Sequence, residues 1–379
     1  MTNIYLIRHA EAEGNIYRRA QGHYQSHISA KGRRQVDALA ERFRDVELDA
    51  LYTSDMIRTK ETAQAITRYH DLPIITDPGL REVNMGSWED RPWGNLSYDF
   101  PEAMTAFNDD PDAWRVPGAE TIPELCRRIR DTIIKIASRH DGQTIVCVSH
   151  GTAIRTLLSS ILGVASKEIY KLPHGDNTCV ALLTVEGDSI TAEYYNDASH
   201  LTGGLSTFAR QSWWTAPGLH DVGNVRFESF DPRLHPEEYV RYYAETWKAV
   251  HGSLAGFEPE PYLEGAKRHF EADPESVVVM RSGDTVVGIT ELDTRRGEAE
   301  GYGWICLCYV EPEYRRRLLG VQLIGHAVSV FRAKGRHSLR LSVFSGNEGA
   351  IKFYEEYDFR AIGQSEGVFG PLLIMEKEL

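Results

Sequence analysis

Two short apolar runs, far apart in the sequence, each lead within two residues to a histidine. Residues 4–7 precede His9, and residues 144–148 precede His150. Short uninterrupted apolar runs are typical of strands buried inside a parallel sheet. Side chains at the carboxyl ends of such strands line the usual ligand crevice of an α/β fold. The sequence therefore predicts that both histidines lie at one edge of a central sheet.

Two imidazoles at one sheet edge are suited to phosphoryl transfer. A neutral imidazole is nucleophilic at about pH 7 and can form a phosphohistidine that water then hydrolyses. Arg8 and Arg58 can each offer a guanidinium group, whose shape matches phosphate. His150 can add a cationic donor, and Glu82 can supply the proton that a leaving alkoxide needs. These residues and His9 form the predicted catalytic set, with the protonation state of Glu82 left open.

Five separated motifs occur in order along residues 1–200. They are Arg8-His9-x-Glu11 with Asn15; Gln21-Gly22 with Ser29 and Gly32; Ser54-Asp55 with Arg58 and Thr62-Ala63; Leu80-Arg81-Glu82 with Gly86 and Trp88-Glu89; and Ser149-His150-Gly151. The ordered set resembles the histidine phosphatase superfamily. This resemblance implies a three-layer α/β/α domain of the phosphoglycerate mutase-like fold, with His9 as the phosphorylated residue. It also implies substrate contacts from Asn15, Gln21, Gly22 and Gly151.

Two positions depart from the pattern of that family. Ala10 stands where the family usually has glycine, and His27-Ile28 stand where it usually has Pro-Leu. Neither change removes a charged or nucleophilic group, so we expect these departures to alter the shape of the phosphate pocket without removing activity.

The length of one connection separates two possible reactions. Only 68 positions separate Glu82 from His150, whereas the cofactor-dependent mutases of this family carry longer insertions there. We therefore expect hydrolysis of a small-molecule phosphomonoester, with a phosphoglycerate-type mutase as the alternative. Residues 86–118, which are rich in aromatic side chains, are expected to recognise the substrate. For any single one of these aromatic side chains, however, a place in the hydrophobic core is the favoured interpretation over contact with a substrate.

Composition limits the class of protein. The net charge of −13 argues against a general nucleic-acid binder. No apolar stretch approaches the roughly 18 residues of a membrane helix, and no signal peptide precedes the first strand. Five cysteines, an odd number, favour a reducing cytoplasm over a disulfide framework. We expect a cytoplasmic protein without a membrane partner, and its oligomeric state stays open.

The 379 residues are expected to form two domains. The first covers residues 1–200. Residues 201–223 lose the periodic pattern and are interpreted as a linker, in which Trp213 and Trp214 are expected to dock against a domain. The second covers residues 224–379 and has a different order of elements: helical segments, strands, an arginine-rich turn and a further helix.

Two motifs in the second domain carry a second resemblance. They are Val310-x-Pro312-x-Tyr314-Arg315-Arg316-Arg317-Leu318-Leu319-Gly320 and Asn347-x-x-Ala350-x-x-Phe353-Tyr354-x-x-x-Asp358-Phe359. The first joins a strand-like run to a helix, whose amino-terminal N–H groups favour anions. Together the motifs resemble the GNAT acetyltransferase family. This resemblance implies an α+β acyl-CoA N-acyltransferase domain that uses acetyl-CoA and a small amine acceptor.

The same resemblance assigns roles to individual residues. Tyr309 and Val310 would hold the pantetheine and thioester through their backbone, and Tyr354 would protonate the departing thiolate. Asn347, which begins the later helix, is counted with the cofactor-binding residues. The pyrophosphate would meet the amides of Arg315, Arg316, Arg317, Leu318, Leu319, Gly320 and Val321.

Departures leave the transferase activity open. Leu318 and Asp358 stand where the family usually has glycine, and a side chain at Leu318 is expected to narrow the approach to phosphate. The general base is not identified; Glu291 is a candidate, but a surface carboxylate is the favoured interpretation. A domain that only senses acyl-CoA or docks a partner is therefore the alternative.

No metal site is expected from the spacing of cysteines and histidines. Cys306 and Cys308 are two apart on a strand-like run and are expected to face the same way. No second ligand pair accompanies them, so packing is favoured over zinc. Isolated histidines lack metal-like spacing and are interpreted as surface or structural; they are His23, His27, His174 and His200.

Overall fold

The structure is a computed structural model that describes residues 1–208 and 223–379. It contains two compact units, one formed by residues 1–91 and 96–208 and the other by residues 92–95 and 223–379. Trp213, Trp214 and most of the predicted linker lie outside the described residues, so the linker and its docking stay predictions. None of the described helices is both long enough and apolar enough to cross a membrane.

The first unit is built on one mixed sheet. In chain order, the elements along residues 1–208 are β1 (Thr2–Arg8), α1 (Glu13–Ile16), α2 (Ala30–Phe43), β2 (Ala50–Thr53), α3 (Ile57–Thr67), β3 (Ile74–Thr76), α4 (Trp93–Asp99), α5 (Pro101–Asp109), α6 (Ile122–Ala137), β4 (Thr144–Ser149), α7 (Gly151–Ile161), β5 (Val180–Glu186) and β6 (Ser189–Asp197). The order across the sheet is β3-β2-β4-β1-β5-β6. As predicted, the two apolar runs are central strands.

The register of the two central strands places their ends together. Strands β1 and β4 are parallel neighbours, with Arg8 opposite Ser149. His9 and His150 are the next residues along each strand. Both histidines therefore leave the sheet at the same edge.

Helices cover both faces of this sheet. Apolar residues of α2 and α3, among them Leu39 and Ile66, form a buried cluster with one face of the central strands. Residues of α6 and α7, among them Ile133 and Leu157, form a second buried cluster with the opposite face of the central strands. The three-layer α/β/α architecture is therefore confirmed, and its core lies directly beneath the edge that carries both histidines.

Local signals fix where two of these helices begin. The hydroxyl of Ser29 accepts a hydrogen bond from the amide of Gly32 at the start of α2. Thr121 and Glu124 form a reciprocal capping box at the start of α6. These side chains satisfy amide groups that the first helical turn leaves without partners.

The second unit has its own sheet. Its elements are β7 (Arg226–Ser229), α8 (Pro236–His251), α9 (Pro259–Ala272), β8 (Val277–Ser282), β9 (Thr285–Asp293), β10 (Tyr302–Val310), α10 (Gly320–Ala333), β11 (Ser338–Phe344), α11 (Glu348–Glu356), β12 (Arg360–Gly367) and β13 (Gly370–Glu378). The order across the sheet is β12-β13-β11-β10-β9-β8-β7. The predicted sequence of helices and strands is found, with two edge strands added.

One pair of strands in this sheet is only partly joined. Parallel pairing between β10 and β11 runs from Tyr302 opposite Ser338 to Ile305 opposite Leu341. Strand β10 then continues to Val310, and strand β11 continues to Phe344. The two strands therefore share a ladder over one half and open a gap in the other half, next to the arginine-rich turn.

Candidate functional site

The rings of His9 and His150 meet at the end of the first sheet. Their centroids are 5.3 Å apart, and both side chains are buried. The distance is short enough for one tetrahedral anion to contact both imidazoles. The structure thus brings together two residues that are separated by most of the first domain in sequence.

The hydrogen bond of His9 determines which ring nitrogen is available. Its Nδ1 lies 2.7 Å from the carbonyl oxygen of Ala10. Because a carbonyl oxygen only accepts, Nδ1 carries the proton, and Nε2 of the neutral ring has the free electron pair. Burial, with Arg58 and Arg8 nearby, lowers the pKa of His9 well below its ordinary value. The ring is therefore neutral, as a nucleophile requires.

His150 is held by a hydroxyl group on the neighbouring strand end. Its Nε2 lies 2.8 Å from Oγ of Ser54, and its buried Nδ1 has no hydrogen-bond partner among the described residues. Burial, together with Arg58 and His9, lowers the pKa of His150 well below its ordinary value. The predicted cationic donor is therefore a neutral imidazole here, because burial and positive neighbours both disfavour the imidazolium ion.

Two arginines border the paired imidazoles. Arg58 is fully buried, and its two terminal nitrogens donate to the carbonyl groups of Tyr24 and Gly22. Burial lowers its pKa to about 10, which leaves it cationic at neutral pH. Arg8 donates through Nη1 to the carbonyl of Gly175. The Nε atoms of both arginines are buried without a partner among the described residues.

Glu82 reaches across to the helix that follows His150. Its Oε2 accepts from the amide of Thr152 at 2.9 Å, and its Oε1 accepts from the amides of Ala153 and Val83 at the same distance. Thr152 and Ala153 lie in the first turn of α7, whose exposed N–H groups favour a carboxylate. The Glu82 charge also acts on Arg58. The predicted acid is thus held by the first turn of α7, the helix for which His150 is the N-cap residue.

Two glycines allow close approach within the site. A Cβ on Gly22 would lie 2.2 Å from the carbonyl oxygen of Val83, which no rotamer change could relieve. A Cβ on Gly151 would lie 3.2 Å from Nε of Arg8. Glycine at these positions therefore lets the loop that binds Arg58, and the Arg8 side chain, pack against their neighbours.

Two other predicted substrate contacts are engaged locally. Oδ1 of Asn15 accepts from the amide of Ala12 at 2.9 Å, and Nε2 of Gln21 donates to Ser26. These bonds shape the loop after β1. Contact of Asn15 or Gln21 with a substrate stays a prediction.

Two residues that were not assigned a role from the sequence hold the site in place. Nδ2 of Asn177, which is fully buried, donates to the carbonyl of His9 at 2.9 Å. The Glu89 carboxylate accepts from three amides in the loop that binds Arg58; they belong to Gly22, His23 and Tyr24. Asn177 follows Gly-Asp just before a buried strand, and a polar residue at a strand boundary was the available signal.

Part of the aromatic segment at residues 86–118 belongs to the core. Trp88 and Trp114 are buried with ring centroids 5.6 Å apart, and Phe107 packs against both. An open groove of about 710 Å³ lies nearby, with charged residues such as Arg127 and Arg128 in its lining. Recognition of a substrate by residues 86–118 stays a prediction, whereas the core interpretation holds for Trp88 and Trp114.

In the second unit, the arginine-rich turn adopts an unusual backbone. Arg316 and Leu318 have φ values of 61° and 59°, in the left-handed region. Leu319, the N-cap of α10, returns to the right-handed region. Successive left- and right-handed residues direct neighbouring N–H groups into a concave anion-binding arrangement. Leu318 thus takes the conformation for which glycine is usual, at a cost of roughly 1–2 kcal/mol.

The other predicted cofactor residues surround this turn. Nε of Arg315 donates to the carbonyl of Val310 at 2.9 Å, and the hydroxyl of Tyr309 donates to Glu311 at 2.8 Å. A Cβ on Gly320 would lie 3.1 Å from the ring of Phe353. Three further residues of the predicted cofactor-binding set lie in or next to the helices α10 and α11. Arg317 is exposed, Val321 is buried in α10, and Asn347 caps α11 through the amide of Ala350.

Tyr354 lies on α11 and reaches strand β10. Its hydroxyl is hydrogen-bonded to the thiol of Cys308, and burial raises the pKa of Tyr354 well above its ordinary value. Its side chain therefore remains a neutral O–H donor at physiological pH. Asp358, beyond the end of α11, has a φ of 69° and, like Leu318, adopts a glycine-type conformation.

Two expectations about the second unit were wrong. Glu291 is buried with 2% of its surface exposed, so it is not a surface carboxylate. Cys306 and Cys308 do not share a face, because a β-bulge between Ile305 and Leu307 interrupts the alternation of side chains. Cys306 lies beside Glu291, whereas Cys308 contacts Tyr354.

Comparison with known proteins agrees with this geometry. The family model of the histidine phosphatase superfamily (branch 1) matches residues 4–198. This chain belongs to the histidine phosphatase superfamily. The model of the acetyltransferase (GNAT) family matches residues 237–359, so the second unit contains a GNAT domain. The predicted families and fold classes are confirmed.

Relatives and solved structures resemble the histidine phosphatase domain. A protein named probable phosphoglycerate mutase GpmB from Yersinia enterocolitica is 32% identical over 231 residues, covering 61% of this chain and 98% of that protein. Its namesake from Erwinia tasmaniensis is 34% identical over 164 residues, covering 43% of this chain and 76% of that protein. The structure of Bacillus stearothermophilus YhfR has a TM-score of 0.51 at 30% identity, covering 53% of this chain and 100% of YhfR.

Buried neutral histidines should make the histidine phosphatase domain sensitive to acid. Burial is the main cause that lowers the pKa of His9, His150 and His174, the last to about 3. Below the ordinary value of 6.5, the unfolded chain binds protons that the folded domain does not. We expect stability to fall with pH from about 6.5 downwards, each histidine contributing up to about 1.4 kcal/mol per pH unit.

Urea unfolding of the full chain across this pH range checks the expectation. Nε2 of His174 lies 2.8 Å from Nη1 of Arg155 and must accept, so His174→Gln keeps an acceptor but cannot titrate. The variant should have a shallower pH dependence than the parent. Equal unfolding midpoints at about pH 7.5 and about pH 5 in the parent would contradict the expectation.

Proposed function

We propose that the histidine phosphatase domain hydrolyses a small-molecule phosphomonoester through a phosphohistidine at His9. The proposal rests mainly on the meeting of His9 and His150 at a ring separation of 5.3 Å. Nε2 of His9 has a free electron pair because Nδ1 donates to a carbonyl. The buried Nε atoms of Arg8 and Arg58, with Nδ1 of His150, are suited to binding the phosphoryl oxygens.

The proposed reaction has two steps. Nε2 of His9 attacks phosphorus, and the bond from phosphorus to the ester oxygen breaks. Glu82, whose two oxygens accept amide hydrogen bonds, relays a proton from the monoanionic phosphate of the substrate to the departing alkoxide. A water molecule then attacks the phosphohistidine, Glu82 relays a proton from that water to the phosphate, and inorganic phosphate leaves with His9 restored. Arg8 and Arg58 offset the charge on the phosphoryl group throughout.

A phosphoglycerate-type mutase is the second candidate, favoured by the name of the relatives from Yersinia and Erwinia. The two reactions differ in the acceptor of the phosphoryl group. A generic aryl phosphate should release inorganic phosphate in proportion to the phenol if water is the acceptor. Transfer of labelled phosphate between phosphoglycerates, without release, would show a mutase and overturn the phosphatase proposal.

For the GNAT domain, we propose binding of acetyl-CoA at the arginine-rich turn and acetyl transfer to a small amine. The alternation of left- and right-handed residues at Leu318 and Leu319 supports pyrophosphate binding through backbone amides. The gap between β10 and β11 after Ile305 offers a place for the pantetheine arm. Tyr354, a neutral donor beside Cys308, is suited to protonating the thiolate.

A domain that only senses acyl-CoA would bind the same ligand without transferring its acetyl group. Calorimetric titration with acetyl-CoA tests binding, and release of free CoA in the presence of amine acceptors tests transfer. No binding at millimolar ligand would exclude both roles. Binding without CoA release across a broad amine panel would favour the sensing role.

The backbone at Leu318 should control the affinity for acetyl-CoA. A β-branched side chain is strongly disfavoured at positive φ, whereas glycine is not. We expect Leu318→Val to move the free turn away from the binding conformation and to weaken binding by about 10-fold, since roughly 1–2 kcal/mol of strain reduces the competent population. Leu318→Gly should bind at least as tightly as the parent. Equal calorimetric affinities for Leu318→Val and the parent would show that this conformation is not required.

A further inference from the structure

The GNAT domain contains three metal-ligand side chains that the proposed acetyl transfer does not use. His269 lies on α9, Glu291 on β9 and Cys306 on β10. A ring nitrogen, a carboxylate oxygen and the thiol sulfur of these residues all lie within 4.8 Å of one another. Three different elements of the fold therefore direct a nitrogen, an oxygen and a sulfur towards one point.

The register of β10 against β9 places the sulfur of Cys306 in this group. Cys306 is the additional residue between Ile305 and Leu307, which pair with the adjacent residues Leu292 and Glu291. Trp304 pairs with Asp293, so alternation along β10 places Cys306 on the face that carries Asp293 and Glu291. The bulge then turns Cys308 to the other face, where it contacts Tyr354.

Outer hydrogen bonds orient the other two ligands. Nδ1 of His269 lies 2.7 Å from Oε1 of Glu291, and Nε2 of His269 lies 3.3 Å from the carboxylate of Asp293. The hydroxyl of Tyr239 donates to Oε2 of Glu291 at 2.6 Å. In metal sites, the second nitrogen of a histidine ligand and the second oxygen of a carboxylate ligand are held by such partners. Nδ1 and Oε1 are thus the atoms that face a shared ion.

The donor set favours zinc over harder cations. Imidazole, thiolate and carboxylate are the usual zinc ligands, whereas Mg²⁺ and Ca²⁺ prefer oxygen alone. With metal–ligand bond lengths of about 2.0–2.3 Å, the ligand atoms of a tetrahedral ion lie about 3.3–3.8 Å apart. The three ligand atoms here lie within 4.8 Å of one another, so small side-chain rotations would bring them to that geometry. Binding would release the thiol proton and the proton shared by His269 and Glu291 to solvent. Three protein ligands leave the fourth position for water.

We propose that His269, Glu291 and Cys306 bind one divalent ion of the zinc type. The site joins α9 to β9 and β10, next to the point where β10 separates from β11. A metal ion bound to the native domain but not to the unfolded chain stabilises it. The proposal does not depend on the phosphatase or transferase activities.

Cobalt(II) is the probe for this site, because it occupies zinc sites and absorbs light. The full, untagged chain is stripped with a chelator and titrated with Co²⁺. We expect visible bands of a tetrahedral ion and a thiolate-to-cobalt band in the near ultraviolet, both saturating at one equivalent. Added Zn²⁺ should remove the bands, and Zn²⁺ alone should raise the unfolding temperature of the stripped chain.

Matched variants identify the ligands. Cys306→Ser should lose the thiolate band and weaken metal binding by at least about 10-fold. Cys308→Ser should keep the thiolate band and the metal affinity of the parent. His269→Gln should weaken binding without removing the thiolate band, which keeps the test valid if one variant folds poorly. A missing band in the parent, or an unchanged band in Cys306→Ser, would overturn the proposal. Acetyl-CoA titration of the same samples distinguishes this failure from a failure of the GNAT assignment.

Discussion

His9→Ala should lower the rate of aryl phosphate hydrolysis by at least about 10,000-fold, because removing a covalent nucleophile eliminates the pathway rather than weakening one contact. The remaining groups, among them Arg58 and His150, still bind phosphate, so the affinity for inorganic phosphate should change much less than the rate. Phosphate release measured under single-turnover conditions, together with inhibition by phosphate, checks both parts of the expectation.

A direct readout is the covalent intermediate. Rapid quenching of the parent in base with labelled substrate should trap an acid-labile phosphohistidine, and His9→Ala should give none. His70→Asn is the matched control, since His70, which follows α3, contacts the carbonyl of Phe43 at the end of α2 and lies outside the proposed site. Substantial hydrolysis by a correctly folded His9→Ala protein would show that another group is the nucleophile.

Arg58→Met should lower kcat/KM by about 1000-fold, the second largest effect expected. The fully buried guanidinium group is proposed to bind the phosphoryl oxygens, and removing one fixed donor to a developing charge costs about 100- to 1000-fold. Methionine fills most of the volume but leaves the carbonyl groups of Gly22 and Tyr24 without their donors. Unsatisfied buried carbonyl groups destabilise by about 1–3 kcal/mol each, which would also loosen this loop.

Separate measurements distinguish the loss of phosphate binding from the loss of stability. Inhibition by orthovanadate reports on phosphate binding, and urea unfolding reports on stability. Arg58→Lys should recover part of the rate, because it restores charge without the two-point geometry of guanidinium. Arg42→Met is the matched control, since Arg42 pairs with Asp197 and belongs to no proposed site. A loss of stability with unchanged vanadate affinity would make Arg58 a structural residue only.

The sequence predicted the central elements well because their signals are local or strongly periodic. Strands β1 and β4 are short apolar runs, and the capping groups at Ser29 and Thr121 form within one helical turn. The two edge strands of the second sheet, β7 and β12, were not predicted. Strand β12 (Arg360–Gly367) is polar and exposed, so it shows no alternation, and its partner β13 determines its conformation.

The site residues show the same difference between local signals and contacts that are distant in sequence. His9, Arg58 and Glu82 stand in recognisable motifs, so their types and order are visible in one dimension. Asn177, which holds the carbonyl of His9, is separated from it by 168 positions, and nothing local to Asn177 shows that contact. The opposite directions of Cys306 and Cys308 depend on a bulge whose register is fixed by the neighbouring strand β9.

The sequence by itself determined the two families, the alternation of elements and the chemical types available at each strand end. Only the tertiary structure decided which atoms of those residues face one another. It made His150 a buried neutral ring, tied Glu82 to the first turn of α7, and directed Cys306 towards Glu291. The physical reason is that local propensity acts over a few residues. Burial, hydrogen-bond partners and register arise from segments that meet only after folding.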